Sequence, residues 1–152
     1  INTLIITDMT ANVGGDTLAF SKKFKKVNAI ECDTDNFEAL KNNIELYKAK
    51  NVNIIKGDPT KIIKTTTQDI IYLDPPWGGK DYIKQKTINN FKLSGKNITH
   101  WIDYIHDNKL SKYIFIKLPI NYDTKYIRNN INKNINMKHT LLKKMLIVAL
   151  WF

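Results

Sequence analysis

Four carboxylates recur at one kind of place in this chain. Asp8, Glu31, Asp58 and Asp74 follow the apolar runs Leu4-Ile5-Ile6, Val27-Asn28-Ala29-Ile30, Val52-Asn53-Ile54-Ile55 and Ile70-Ile71-Tyr72-Leu73. Short runs of this kind, bounded by turn formers, read as buried strands. In an open α/β sheet ligands sit outside the carboxyl ends of the strands, so acids placed there face a site. An ionised carboxylate only accepts hydrogen bonds, which suits it to hydroxyls and amines. Glu31 lies 23 positions beyond Asp8, about the offset at which a strand-end acid accepts ribose hydroxyls. Asp58 is placed to accept from an exocyclic amine such as that of adenine. Singly, Glu31 reads as well as the approach to a helix, and Asp58 as a turn residue before Pro59. Four in one series point to a nucleoside-type cofactor.

The stretch Asp74-Pro75-Pro76-Trp77-Gly78-Gly79 adds a second chemistry. Two prolines fix φ and give up two backbone donors, leaving carbonyls to accept from a ligand. The Asp74 carboxylate and the Pro75 carbonyl form an acceptor pair able to hold both N–H groups of an amine. Trp77, followed by glycines and not by apolar residues, is expected to be exposed and to stack on a base.

The elements that position these groups follow from periodicity. After the first strand, Met9 to Gly15 forms a loop in which Asn12 tolerates positive φ, and Asp16 is a candidate N-cap. Strand, glycine turn and helix start bring a ligand close to bare backbone, although the three-glycine fingerprint is missing. Asp35 and Glu38 form a capping-box pattern, ahead of a helix with Phe37, Leu40, Ile44 and Tyr47 on one face, reaching about Ala49. Ile62 and Ile63 suggest a short helix. Lys80 to Lys96 reads as a long substrate-side loop anchored by Tyr82, Ile83, Ile88 and Phe91. Asn97 caps a helix through Ile98, Trp101, Ile102 and Ile105; its His100 and His106 have no ligand set at metal spacing, so no metal is expected. Tyr113 to Leu118 is a fifth strand stopped by Pro119, and Asp123 opens a helix to about Asn132 with Tyr126, Ile127 and Ile131 inward. Met137 to Phe152 reads as two strands turning near Lys143-Lys144, an antiparallel addition to a parallel sheet. The expected fold is α/β and Rossmann-like, mostly parallel with a C-terminal antiparallel hairpin.

At 152 residues and 43% apolar content, the chain is expected to form a single domain, 1–152. The net charge is +10, and it is uneven. Residues 1–107 hold 15 Lys and Arg against 13 Asp and Glu, whereas 108–152 hold 9 against 1. A basic segment of this kind attracts phosphate backbones. However, 23 of the 24 basic residues are Lys, and the Lys, Asn and Ile bias of an AT-rich viral or protist genome accounts for the charge as well. No apolar run approaches the ~20 residues of a membrane span. The lone Cys32 excludes an intramolecular disulfide framework and suits a reducing interior, cytoplasmic or nuclear.

Together these residues resemble a known family. Asp8 to Gly15 resembles the first motif of class I S-adenosylmethionine (SAM) methyltransferases. The set Val13-Gly14-Gly15, Glu31, Asn42-Asn43, Pro75-Pro76-Trp77-Gly78-Gly79 and Tyr82 is similar to that of the RNA cap guanine-N2 methyltransferases, the trimethylguanosine synthase family. Leu118-Pro119-Ile120-Asn121-Tyr122-Asp123 resembles that family's Leu-Pro-Arg-Asn-Ala-Asp. The resemblance implies an enzyme that moves a methyl group from SAM to the N2 amine of 7-methylguanosine on capped RNA. It implies that Asp8, Thr10, Asn12 and Gly14 cradle SAM, Glu31 holds its ribose and Asp58 its adenine amine. Asp74 and Pro75 would hold the target amine, Trp77 would stack on the cap base, and Asn121 would lie on the substrate side. Asp74 replaces the Ser common in that family, and Asp-Pro-Pro-Trp also resembles adenine-N6 methyltransferases. Ile120 replaces an Arg, and the family's helical segment ahead of the first strand has no counterpart in the seven residues before Asp8. Adenine-N6 or non-cap guanine-N2 methylation, and an inactive RNA-binding relative, are therefore alternatives at this point.

Overall fold

The computed structural model describes the backbone of residues 1–152 and every side chain except that of Lys80. The apolar runs become strands β1 (Ile5–Asp8), β2 (Lys26–Glu31), β3 (Val52–Lys56) and β4 (Ile70–Leu73), joined by helices α1 (Gly15–Ser21), α2 (Thr34–Leu46) and α3 (Pro59–Ile62). β1 pairs in parallel with β2 and with β4, and β2 with β3. Beyond them come a 3-10 turn (Gly79–Lys84), the ribbon β5 (Lys92–Leu93) and β6 (Lys96–Asn97), and helix α4 (Ile98–Asp107). Strand β7 (Tyr113–Pro119), helix α5 (Thr124–Asn130) and strands β8 (Asn136–Leu142) and β9 (Met145–Trp151) complete the chain. β9 runs antiparallel to both β7 and β8. Seven strands form one sheet in the order β3-β2-β1-β4-β7-β9-β8, mostly parallel with an antiparallel C-terminal hairpin, as the patterning predicts.

By contact density the chain divides into two units, Ile1–Tyr72 and Leu73–Phe152. The first buries Ile6, Val27, Ala29, Ile30, Leu40 and Ile71. The polar residues buried among its strands are satisfied, as burial requires: Thr7 Oγ1 donates to Gln68 Oε1 at 3.0 Å, and Asn28 Nδ2 donates to Thr7 Oγ1 at 3.1 Å. The second unit buries Ile98, Trp101, Ile102 and Ile105 of α4, Ile114, Ile116 and Leu118 of β7, and Val148 and Leu150 of β9. There the Trp101 indole N–H donates to the Leu93 carbonyl at 2.9 Å.

Local details depart from the sequence reading. Gly14, in the left-handed region at φ 97°, caps α1, so Asp16 lies inside the first turn, where its carboxylate accepts from the Tyr72 hydroxyl at 2.7 Å. Asp33, not Asp35, caps α2: its backbone is extended and its side chain accepts from Asn36 N at 2.9 Å. That helix ends at Leu46, leaving Tyr47 65% exposed. The segment read as one long loop contains the 3-10 turn and the ribbon; Ile88 and Phe91 are buried, but Ile83 is 70% exposed and anchors nothing. Hydrogen bonds from the Asn121 side-chain amide to backbone carbonyls hold that turn instead.

Candidate functional site

In the first unit the loop leaving β1 is tied down at both ends. Met9 N donates to Tyr72 O and Ala11 N to Ile30 O, each at 3.0 Å. Asn12 (φ 49°) and Gly14 (φ 97°) take the left-handed conformations that let the loop turn into α1. Gly14 is required twice over, since a Cβ there would also lie 2.7 Å from Leu40 Cδ1. Asp8 is 1% exposed and builds the loop from below: its carboxylate accepts from the Thr17 hydroxyl at 2.7 Å and from Thr10 N at 3.2 Å.

Glu31, at the end of β2, joins two loops. Its Oε2 accepts from Asn12 N and its Oε1 from Asp33 N, both at 2.8 Å. Each carboxylate oxygen has a second acceptor site, so the clamp leaves capacity for hydroxyls. From α2, Asn43 Nδ2 donates to Val13 O at 2.8 Å, fixing the outer side of the same loop. Asp58 caps α3, accepting from Thr60 N at 2.9 Å and from the Thr60 hydroxyl at 2.7 Å. The neighbouring Gly57 N donates to the Glu31 carbonyl at 3.0 Å. Hydrogen bonds thus connect Asp8 to Thr10, and Asn12 to Glu31 and on to the Asp58 turn. Partial desolvation, and then the charge of Glu31, push the Cys32 thiol above its ordinary range, which makes it a poor nucleophile at neutral pH.

In the second unit Asp74 directly follows β4. Its Oδ2 lies 2.7 Å from Lys117 Nζ, in an ion pair whose side chains are 28% and 19% exposed. Pro75 is buried and Pro76 exposed. Trp77 is half-buried rather than exposed, because Tyr82 meets its ring edge-on at 5.1 Å and 84°. The Trp77 Nε1 is buried and has no hydrogen-bond partner among the described residues. Beside it runs a groove of about 520 Å³, bounded by Pro76, Trp77 and Gly78 and by Gln85 and residues 87–92.

Asn121 acts beneath that groove. Its Nδ2 donates to Tyr82 O at 2.9 Å and to Gln85 O at 2.7 Å, while its buried Oδ1 has no partner among the described residues. This amide holds the wall of the groove, a role that the motif alone did not reveal. Ile88 N donates to Asn121 O at 3.0 Å and Asp123 N to Ile88 O at 2.7 Å, pinning the far wall. Burial pushes the phenol of neighbouring Tyr122 well above its ordinary range, so it stays neutral.

Lys117 is the residue that sequence reasoning missed. A signal was available: a charged residue stands inside the apolar run Tyr113-Ile114-Phe115-Ile116-Lys117-Leu118.

Comparison with known proteins completes this geometry. A family model described as RNA cap guanine-N2 methyltransferase matches residues 3–147, and the chain belongs to that family. An uncharacterized protein of Acanthamoeba polyphaga mimivirus is 35% identical over 151 residues, covering 96% of this chain and 58% of the relative. The chain therefore spans a little over half the length of that relative. Among solved structures, a putative methyltransferase from Porphyromonas gingivalis superimposes with a TM-score of 0.76 at 20% identity, over 99% of this chain and 37% of that one. An rRNA methylase from Streptococcus thermophilus gives 0.66 at 14% identity, over 99% and 87%. At these identities the likeness carries the fold, the Rossmann-like sheet of class I methyltransferases. The methyl donor of this class is SAM. The residues present fit it: Glu31 keeps acceptor capacity for ribose hydroxyls, and the left-handed Asn12 and Gly14 shape the loop beside it.

Proposed function

We propose that this protein methylates the exocyclic N2 amine of 7-methylguanosine at an RNA 5′ cap, using SAM. The observation that carries the reading is the strand-end sequence Asp74-Pro75-Pro76-Trp77, with its carboxylate held by Lys117 at 2.7 Å and its indole beside an open groove. When bound, SAM would supply an electrophilic methyl group whose leaving group is a neutral thioether, so no leaving anion would have to be stabilised.

The protein's task is alignment. A base amine is a poor nucleophile because its lone pair is delocalised into the ring. The Asp74 carboxylate and the Pro75 carbonyl accept its two N–H groups and turn the lone pair out of conjugation. Asp74 also stabilises the positive charge that grows on nitrogen until a proton leaves. Positioning of this kind supplies most of such a rate enhancement. Trp77 stacks on the base, and a 7-methylguanine cation adds a cation–π contribution of ~0.5–2 kcal/mol. Glu31 holds the ribose of SAM and Asp58 its adenine amine, with Asp8, Thr10, Asn12 and Gly14 shaping the cradle. Asn121 keeps the substrate wall in place.

Incubation with labelled SAM and matched RNAs, with or without a 7-methylguanosine cap, tests this. Label is expected only in the capped RNA, and as N2-methylated 7-methylguanosine after nuclease digestion. Asp74 favours a second reading, because a carboxylate serves adenine N6 equally well; label recovered as N6-methyladenosine would establish it. Absence of SAM binding by calorimetry would instead leave an RNA-binding relative without activity.

A further inference from the structure

We propose that Lys117 is the positioning residue that aims the Asp74 carboxylate at the amine to be methylated. The proposal rests on the methyl-transfer reading above. It starts from an anomaly of burial. Among the lysines whose side chains are described, every one but Lys117 is exposed; Lys117 is 19% exposed and bonded to Asp74 Oδ2 at 2.7 Å. A compositional bias toward lysine accounts for the exposed set and not for this one.

The position is unusual for a charge. Lys117 lies on the face of β7 that it shares with Phe115, opposite Ile147 of β9 in the antiparallel register, and both of those apolar neighbours are themselves half-buried. Desolvating an ammonium there is costly, and partly buried ion pairs often stabilise a fold no better than apolar residues of the same volume. Stability alone therefore gives no reason for lysine at this point.

What the ion pair gives Asp74 is direction, since an aspartate side chain has two χ angles to fix. Tying Oδ2 to a strand-borne ammonium fixes the carboxylate plane and hence the line along which the amine N–H must approach. A displacement of about 1 Å at a reacting centre can cost on the order of a hundredfold in rate. Lys117 touches neither SAM nor the base in this scheme; it acts through Asp74.

The test is a double-mutant cycle on the full chain with labelled SAM and 7-methylguanosine-capped RNA. Lys117→Met is expected to lower kcat by about 10- to 100-fold, the scale of a misaligned reacting group, with KM for SAM unchanged. Lys117→Arg, which keeps a cation, is expected to recover part of the loss. In an Asp74→Asn background, Lys117→Met is expected to cost little more, because the group it aims is already gone. Should Lys117→Met fail to fold, the cycle runs with Lys117→Gln. Additive losses, or a kcat for the single variant equal to or above that of the unmodified protein, would overturn the proposal while leaving the methyl-transfer reading intact. An unmodified protein that labels no RNA overturns the reading itself.

Discussion

At Trp77 the indole meets Tyr82 edge-on at 5.1 Å, while its Nε1 is buried and has no hydrogen-bond partner among the described residues. A buried donor left unsatisfied costs about 1–3 kcal/mol, so a residue present only for packing would be better served by Phe. Trp77→Ala is expected to weaken binding of a capped RNA oligonucleotide roughly 2- to 30-fold, the equivalent of the cation–π contribution. SAM affinity, measured by calorimetry, should stay the same; a matching loss of both would make Trp77 a core residue. Glu31 gives the converse test. Its two oxygens accept from Asn12 N and Asp33 N at 2.8 Å, and Glu31→Gln leaves one of those N–H groups facing a donor. SAM affinity is expected to fall on the order of 10- to 100-fold, the loss of one charge-assisted hydrogen bond, with capped-RNA affinity near that of the unmodified protein.

The elements behind these residues make their own demands. At Gly14 a side chain meets two obstacles, the left-handed backbone at φ 97° and Leu40 Cδ1 at 2.7 Å. Gly14→Ala is expected to destabilise the fold by about 2–3 kcal/mol in urea unfolding, combining backbone strain with overpacking. The Tyr82–Gln85 turn depends on Asn121, which donates to both carbonyls. Asn121→Ala is expected to speed tryptic cleavage at Lys84 and Lys86 and to raise KM for RNA, with SAM binding unchanged. The strands and their acidic ends were legible in the sequence because burial imprints itself locally, as apolar runs of four to seven residues. The caps were less so: Asp33 and Asp35 offer the same side-chain chemistry, and only the extended backbone at Asp33 decides between them. Least legible were contacts between distant residues. Asp74 and Lys117 stand 43 positions apart, and nothing in the immediate surroundings of either names the other. The partial burial of Trp77 was hidden for a different reason, because it depends on how the glycine turn at Gly78 and Gly79 folds Tyr82 back against the ring.

Across the whole molecule, charge is the property that bears on the partner. The net charge of +10 is carried almost entirely by lysines, and those with described side chains, Lys117 apart, lie exposed. Among the described residues Lys84 pairs with Asp81 on the surface, and Lys117 with Asp74 beside the groove. Lysine is a strongly hydrated point charge without the fixed fork that reads a phosphate in two places, so the attraction it provides is strong at low salt and indifferent to sequence. Two components of RNA affinity should consequently separate in one experiment. If about four to six phosphates of a single strand are contacted, log Kd should change with log salt by a slope near 3 to 4. Capped and uncapped RNAs of the same length should share that slope, because the backbone sets it. The capped RNA should be tighter by a constant offset, because stacking on Trp77 is short-ranged and screened little by salt. Fluorescence anisotropy between 50 and 300 mM salt, at roughly fixed pH, gives both quantities. A slope near zero would show that the lysines serve the protein in water and not its substrate; an offset that vanished at high salt would show that the cap is read through its phosphates and not through its base.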